Sequence, residues 1–224
     1  MHAYASDDPV FRALNRQAQE KFAAGDVCVR CHAPMAWRTG ATTDGLNLDD
    51  VAPHLKGVTC FHCHATETVD GLHGNPIQLA DDGIMKGAIR SPEDTPAHRS
   101  AYSPFLDRDT VESSQMCGSC HDVVSSTGVY IESTYNEWRE SQFGSGHTQR
   151  LHCGNCHMPS RRAAVAFPYT VEREAHDHSM PGVDTALVEF PNRPEQLALV
   201  KDEVGSAIIG QICVGATLDD TPVT

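Results

Sequence analysis

The chain has 224 residues, a length suited to one domain or one domain with an appendage. Apolar residues make up 40% and aromatics only 6%, while 17 Gly and 13 Pro imply many loops, so side chains alone would give a thin core and something else is expected to fill the middle. With 17 Lys and Arg against 30 Asp and Glu the net charge is -13, which excludes a nucleic-acid partner and favours a basic protein as any steered one.

In chain order, His2 precedes a helix marked by Asp7 and Asp8 at its start and Pro9 in its first turn. Phe11, Leu14, Ala18 and Phe22 form its apolar face, and Gly25 follows its end. Between Gly25 and residue 160 the chain reads as short helices joined by loops. Thr134-Tyr-Asn-Glu137 has capping-box form and opens a short helix that carries Trp138 and ends at Gly144. Asn192-Arg-Pro-Glu195 opens a last helix with Leu197, Val200, Val204 and Ile208 on one stripe and Gly210 after it; Gln211 to Thr217 alternates weakly and reads as a possible strand. No run reaches the roughly 18 apolar residues of a membrane span, and residues 1-20 lack the regions of a signal peptide.

Eight of the nine cysteines fall into four pairs: Cys28-Val-Arg-Cys31-His32, Cys60-Phe-His-Cys63-His64, Cys117-Gly-Ser-Cys120-His121 and Cys153-Gly-Asn-Cys156-His157. Each reads C-x-x-C-H, the attachment signal of a c-type haem; shuffling this composition would give about 0.02 matches, so four are no accident. Two thioethers tie the porphyrin edge to a tight turn, and the histidine that follows is placed under the iron. Paired zinc-binding C-x-x-C motifs lie roughly 15–20 residues apart, closer than any two of these, and zinc would leave the trailing histidines unexplained. Disulfides within the pairs fare no better, and Cys213, alone in an apolar stretch, reads as a small buried hydrophobe. Four covalent haems would therefore form the core that the side chains cannot. Because c-type haem is attached after export, a signal sequence is expected to have been removed and the protein to work outside the cytoplasm, at the cell surface, beyond it or in the periplasm.

Beyond the four proximal histidines, nine remain as sources of sixth ligands: His2, His54, His62, His73, His98, His147, His152, His176 and His178. His176 and His178 are a close pair, His98 stands on a stretch expected to fold back over a haem, and His2 lies beyond a helix end, free to swing, even into another subunit. His54, His73, His147 and His152 occupy polar or Gly-rich loops, and His62 is too constrained to reach its own iron. Met35, Met116, Met158 and Met180 are read as packing residues. Imidazole on both faces of every iron would suit a low-potential relay with no site for substrate.

These segments, with Asp8-Pro9-Val10-Phe11, Gly57-Val58-Thr59-Cys60, Tyr135-Asn136-Glu137-Trp138 and His176 to Asp184, resemble the multihaem c-type cytochromes that include the tetrahaem electron acceptor of hydroxylamine oxidation and the tetrahaem subunits of extracellular cytochrome filaments. The resemblance implies distal ligation by His2, His98 and the His176/His178 pair. For filament relatives it implies that one haem takes a ligand from the adjacent subunit, with His2 as the donor here. The expected fold is mainly α with much irregular structure around a covalent four-haem core. Residues 1–184 would be the tetrahaem domain, and 185–224 a C-terminal helix and possible strand, read as the start of a further domain that the chain truncates. The expected function is electron transfer with redox protein partners, either as a filament-forming homopolymer or as a discrete carrier. A multihaem oxidoreductase is the alternative; its open haem would be marked in related reductases by C-x-x-C-K, which this chain lacks, so no enzymatic activity is expected.

Overall fold

Asp8 opens α1 (Pro9–Phe22) by accepting hydrogen bonds from the Val10 and Phe11 amides at 2.9 and 3.0 Å, and Pro9 fills the first turn, where a missing N–H costs nothing. The helix ends at Ala23, which takes the left-handed conformation itself, while the Gln19 side chain bonds both the N–H and the C=O of Gly25. The buried face is Phe11 and Asn15; Leu14 and Phe22 are exposed. The expected apolar stripe is thus turned, because Asn15 points inward and donates to the Asp44 carbonyl at 2.8 Å. Phe11 packs with Val29 of α2 (Val29–His32), Ala33, Ala36 of α3 (Pro34–Arg38), Leu48 and Val51 in the one cluster of buried apolar side chains among the described residues. The structure, a computed structural model, describes residues 1–125, 127–146, 150–165 and 171–206, and the backbone of 216–218 and 221–223. His147, Ile208, Gly210 and Cys213 lie outside these.

After α4 (Cys60–His64), β1 (Thr66–Val69) pairs antiparallel with β2 (Ile77–Leu79). The loop between them runs through three successive left-handed residues, His73, Gly74 and Asn75, at φ 68°, 67° and 58°. For the two that carry side chains this conformation costs about 1–2 kcal/mol each, somewhat less for Asn, so the surrounding contacts must hold it. Next, β3 (Ile84–Gly87) and β4 (Arg99–Tyr102) pair in parallel, α5 (Val111–Gly118) leads into the third cysteine motif, and β5 (Val123–Val124) pairs with β6 (Tyr130–Glu132). In α6 (Thr134–Glu140), Ser133 and not Thr134 is the N-cap, and the Glu132 carboxylate takes the Thr134 amide and hydroxyl in place of the expected capping box. α7 (Cys153–His157) is followed by the antiparallel pair β7 (Ser160–Ala164) and β8 (Glu172–His176).

Met1–Met180 with Ala186–Glu189 forms one compact unit, and Pro181–Thr185 with Phe190–Thr224 forms a second. The second holds α8 (Arg193–Ser206), in which Gln196 and Val200 are buried and Val204 is exposed, and the antiparallel pair β9 (Ala216–Leu218) and β10 (Thr221–Val223). The described residues thus contain eight α-helices and five two-stranded sheets, a mixed and irregular fold where a mainly α one was expected. Strands of two to five residues are too short for their alternation to stand out from loop sequence. No helix among the described residues is long and apolar enough to cross a membrane.

Candidate haem-binding site

Each C-x-x-C-H motif folds as a single helical turn. The His32 amide donates to the Cys28 carbonyl at 3.1 Å and the His121 amide to the Cys117 carbonyl at 3.0 Å, while Cys60–His64 and Cys153–His157 are helices throughout. A turn of this kind sets the two cysteines, three apart, on one face with the histidine at the next position, as tethering of one flat group requires. Local packing fixes the turns. Thr59 Oγ caps α4, and His152 caps α7, where Asn155 accepts the His152 amide at 2.7 Å. The residue after the first cysteine is glycine in the third and fourth motifs because a Cβ at Gly118 would strike the Tyr135 ring and one at Gly154 the Arg108 side chain.

None of the eight motif cysteines is bridged. Cys120 lies close enough to Cys31 to raise its thiol, and Cys117 close enough to Cys153 to lower that one. Burial, followed by the charges of Cys120 and Cys60, pushes Cys63 up to about 11. Its thiol therefore lies by the third motif, which neighbours all the others.

Two of the proximal histidines face another imidazole. His2 stands opposite His121 with ring centres 6.0 Å apart, and His178 opposite His64 at 6.1 Å. Two imidazoles that share one metal at nitrogen–metal distances of about 2 Å have ring centres about 6 Å apart, a separation that both pairs have, with ring planes at 72° in the first and 26° in the second. The chain builds the first pair with care: the Val58 amide donates to the His2 carbonyl at 2.9 Å, the Gly57 amide to buried Ser6 Oγ at 2.9 Å, and Gly57, at φ 63°, lies so close to Ala3 that no Cβ fits. His2 Nδ1 rests against Met180 Sδ at 2.6 Å. In the second pair His64 Nδ1 bonds the Lys86 carbonyl of β3 at 2.5 Å and His178 Nδ1 the His176 carbonyl at 2.9 Å, which leaves Nε2 of each ring for a metal. Within the single chain His2 thus lies against His121 and Met180.

His32 is held differently. Its Nδ1 bonds the Ala5 carbonyl at 3.1 Å and its ring lies flat on Phe11 with centres 4.0 Å apart, but among the described residues no imidazole stands opposite. His98 is exposed, bonds the Arg99 carbonyl through Nδ1 and lies near enough to His64 to oppose its protonation. His176, half-buried, is lowered by burial and then by Arg108, the residue packed on Gly154 of the fourth motif. His157 is exposed at the end of its turn. Burial is the first cause that lowers His32, His64 and His121, and it brings His2 to about 4, which keeps these rings neutral as metal ligation requires.

The remaining histidines among the described residues are structural or exposed. His54 is exposed, His73 sits 3.2 Å from the Asp122 carboxylate, and His152 is buried, with Nδ1 3.2 Å from Ser114 Oγ. His62 is buried against Asn75. Ser6 and Asn75 carried no signal in the sequence beyond a Gly-Asn step in the β1–β2 loop, read only as loop, and Gly57 stood out only as part of the Gly57-Val58-Thr59-Cys60 resemblance. Residues 2–65, which carry His2 and the first two motifs, match the family model described as cytochrome c554 and c-prime, while no curated protein and no solved structure matches. That match, with turns and paired imidazoles suited to haem, supports a c-type cytochrome with covalently bound haem and a role in electron transfer.

Proposed function

We propose that this protein binds four c-type haems, one on each cysteine turn, and relays electrons outside the cytoplasm without transforming a substrate. The observation that carries the reading is the pairing of His2 with His121 and of His178 with His64 at the separation that one axially ligated iron requires. Haem iron, when bound, supplies reversible one-electron exchange. The chain does the rest. Eight cysteines hold the porphyrin edges, and backbone carbonyls at Nδ1 fix the tautomers of His32 and His64. The nearness of Cys31 to Cys120, of Cys117 to Cys153 and of Cys63 to the third motif supports tether points close together, which would give charge short steps to make.

His176, beside the fourth motif, is the donor proposed for the iron of His157. For the iron of His32 the proposed donor is an imidazole of a second copy, which would join copies into a filament, and the alternative is a discrete carrier; His98 lies by His64 instead. Electron microscopy separates these outcomes, since fibres with a subunit repeat require the second copy and discrete particles oppose it. The central reading is tested by intact mass, which should exceed the polypeptide by four haems that survive acid–acetone extraction. The ferric resonance spectrum should be low-spin, and His2→Ala should convert one haem in four to high-spin. A mass equal to the bare chain would sink the proposal.

A further inference from the structure

The β1–β2 loop brings one buried residue to three of the four cofactor turns, with its side chain at two of them and its backbone amide at the third. The Asn75 amide donates to the Ser119 carbonyl at 2.8 Å, its side-chain Nδ2 donates to the Arg30 carbonyl, and Nδ2 lies 3.5 Å from His62 Nε2. Arg30, His62 and Ser119 hold the same place in their motifs, immediately before the second cysteine. Asn75 is only 3% exposed and His62 only 2%, so these contacts are made away from water, where a lost partner is costly. From the same loop His73 Nδ1 reaches Asp122, the residue after His121, at 3.2 Å. Three consecutive left-handed residues put these groups in place, a conformation that a loop with no task would not keep.

We infer that Asn75 is a positioning residue: it clasps the first, second and third motifs and so fixes the distances between the haems they carry. The inference rests on the haem-binding reading given above. The residue type follows from the task. Only a few side chains tolerate φ 58°, and of these Asn alone brings an uncharged NH2 group with two hydrogens, one for the Arg30 carbonyl and one for His62. Glycine would keep the backbone but lose the donors, and aspartate would set a second acceptor against the Arg30 carbonyl.

The experiment compares holoprotein carrying Asn75→Gly, Asn75→Asp or, as a control on the same loop, Leu72→Ala. Both Asn75 variants should retain four haems by mass and the low-spin g values of intact axial pairs. The magnetic interaction between neighbouring ferric haems should nevertheless weaken, and the stepwise reduction curve should shift for at least two haems, more in Asn75→Asp. Leu72→Ala should change neither. Asn75→Gly decides the matter if the aspartate variant does not fold, because it keeps the left-handed backbone. Four haems with wild-type interactions and reduction steps, accompanied only by a lower melting temperature, would overturn the inference. A wild-type mass without haem would overturn the site reading beneath it.

Discussion

Residues 9–51 and residues 60–180 are built on different principles. The first stretch has an apolar core of Phe11, Val29, Ala33, Ala36, Leu48 and Val51. In the second, the buried apolar side chains among the described residues are Ala65, Ile77 and Tyr135, whereas His62, Thr66, Asn75, Ser103, Asp107, Ser113, Ser114, Ser119, Asp122 and His152 are all buried polar groups. Buried polar groups add little net stability, for their hydrogen bonds replace those to water, but they fix geometry closely. The contrast teaches that the first stretch has an interior of its own side chains, while the second, on the proposed reading, would take its interior from haems and use polar contacts to set their places.

The largest expected effect breaks the comparison outright. Cys117→Ala with Cys120→Ala removes the tether at the turn that neighbours the other three; amide hydrogen exchange over 60–180 should then accelerate by about 100-fold or more, with protection in 9–51 retained. Equal loss in both stretches would refute the contrast. Phe11→Ala should act the other way round, costing about 3–5 kcal/mol in the first stretch by emptying its core and removing the ring that lies on His32. Thermal or denaturant unfolding measures this, and the absorption band of the haem on His32 should change with it.

A third test sharpens the role of buried polarity. Burial, then the charge of Arg38, lowers His62 to about 4, against 6.5 in an unfolded chain. Between those values the unfolded chain binds the proton and the folded one does not. Stability is therefore full above about pH 6.5 and falls as the pH drops towards 4, by at most about 3 kcal/mol. His62→Gln should flatten that part of the stability profile; an unchanged slope would assign it to other groups. The smallest effect is expected at Leu14, which is 60% exposed: Leu14→Ala should alter stability by no more than about 0.5 kcal/mol, and a core-sized loss would mean that α1 buries the face its sequence pattern suggested.

That helix shows where reading from sequence stops. Its bounds were legible, because Asp8 and Pro9 act locally on the first turn, but its buried face was not, because the inward place of Asn15 depends on the Asp44 carbonyl 29 residues away. The strands were missed for a like reason: pairs such as β3 with β4 are only four residues long and find each other across a loop. The site divides the same way. Both cysteines and the proximal histidine of each motif lie within five residues, so spacing alone specifies them. Opposing histidines come from far along the chain, and spacing gives no account of which of nine stands where.

By itself, then, the sequence determined the chemistry that is local: four helical turns able to hold a covalent haem, an acidic surface, and the ends of α1. Only the tertiary structure decided which imidazoles meet, that His2 lies against His121, and that a strained loop delivers Asn75 to three motifs at once. The physical reason is range. A tether is fixed by bonds within one turn, whereas an axial pair and a buried clasp exist only when segments distant in sequence are packed together and shielded from water.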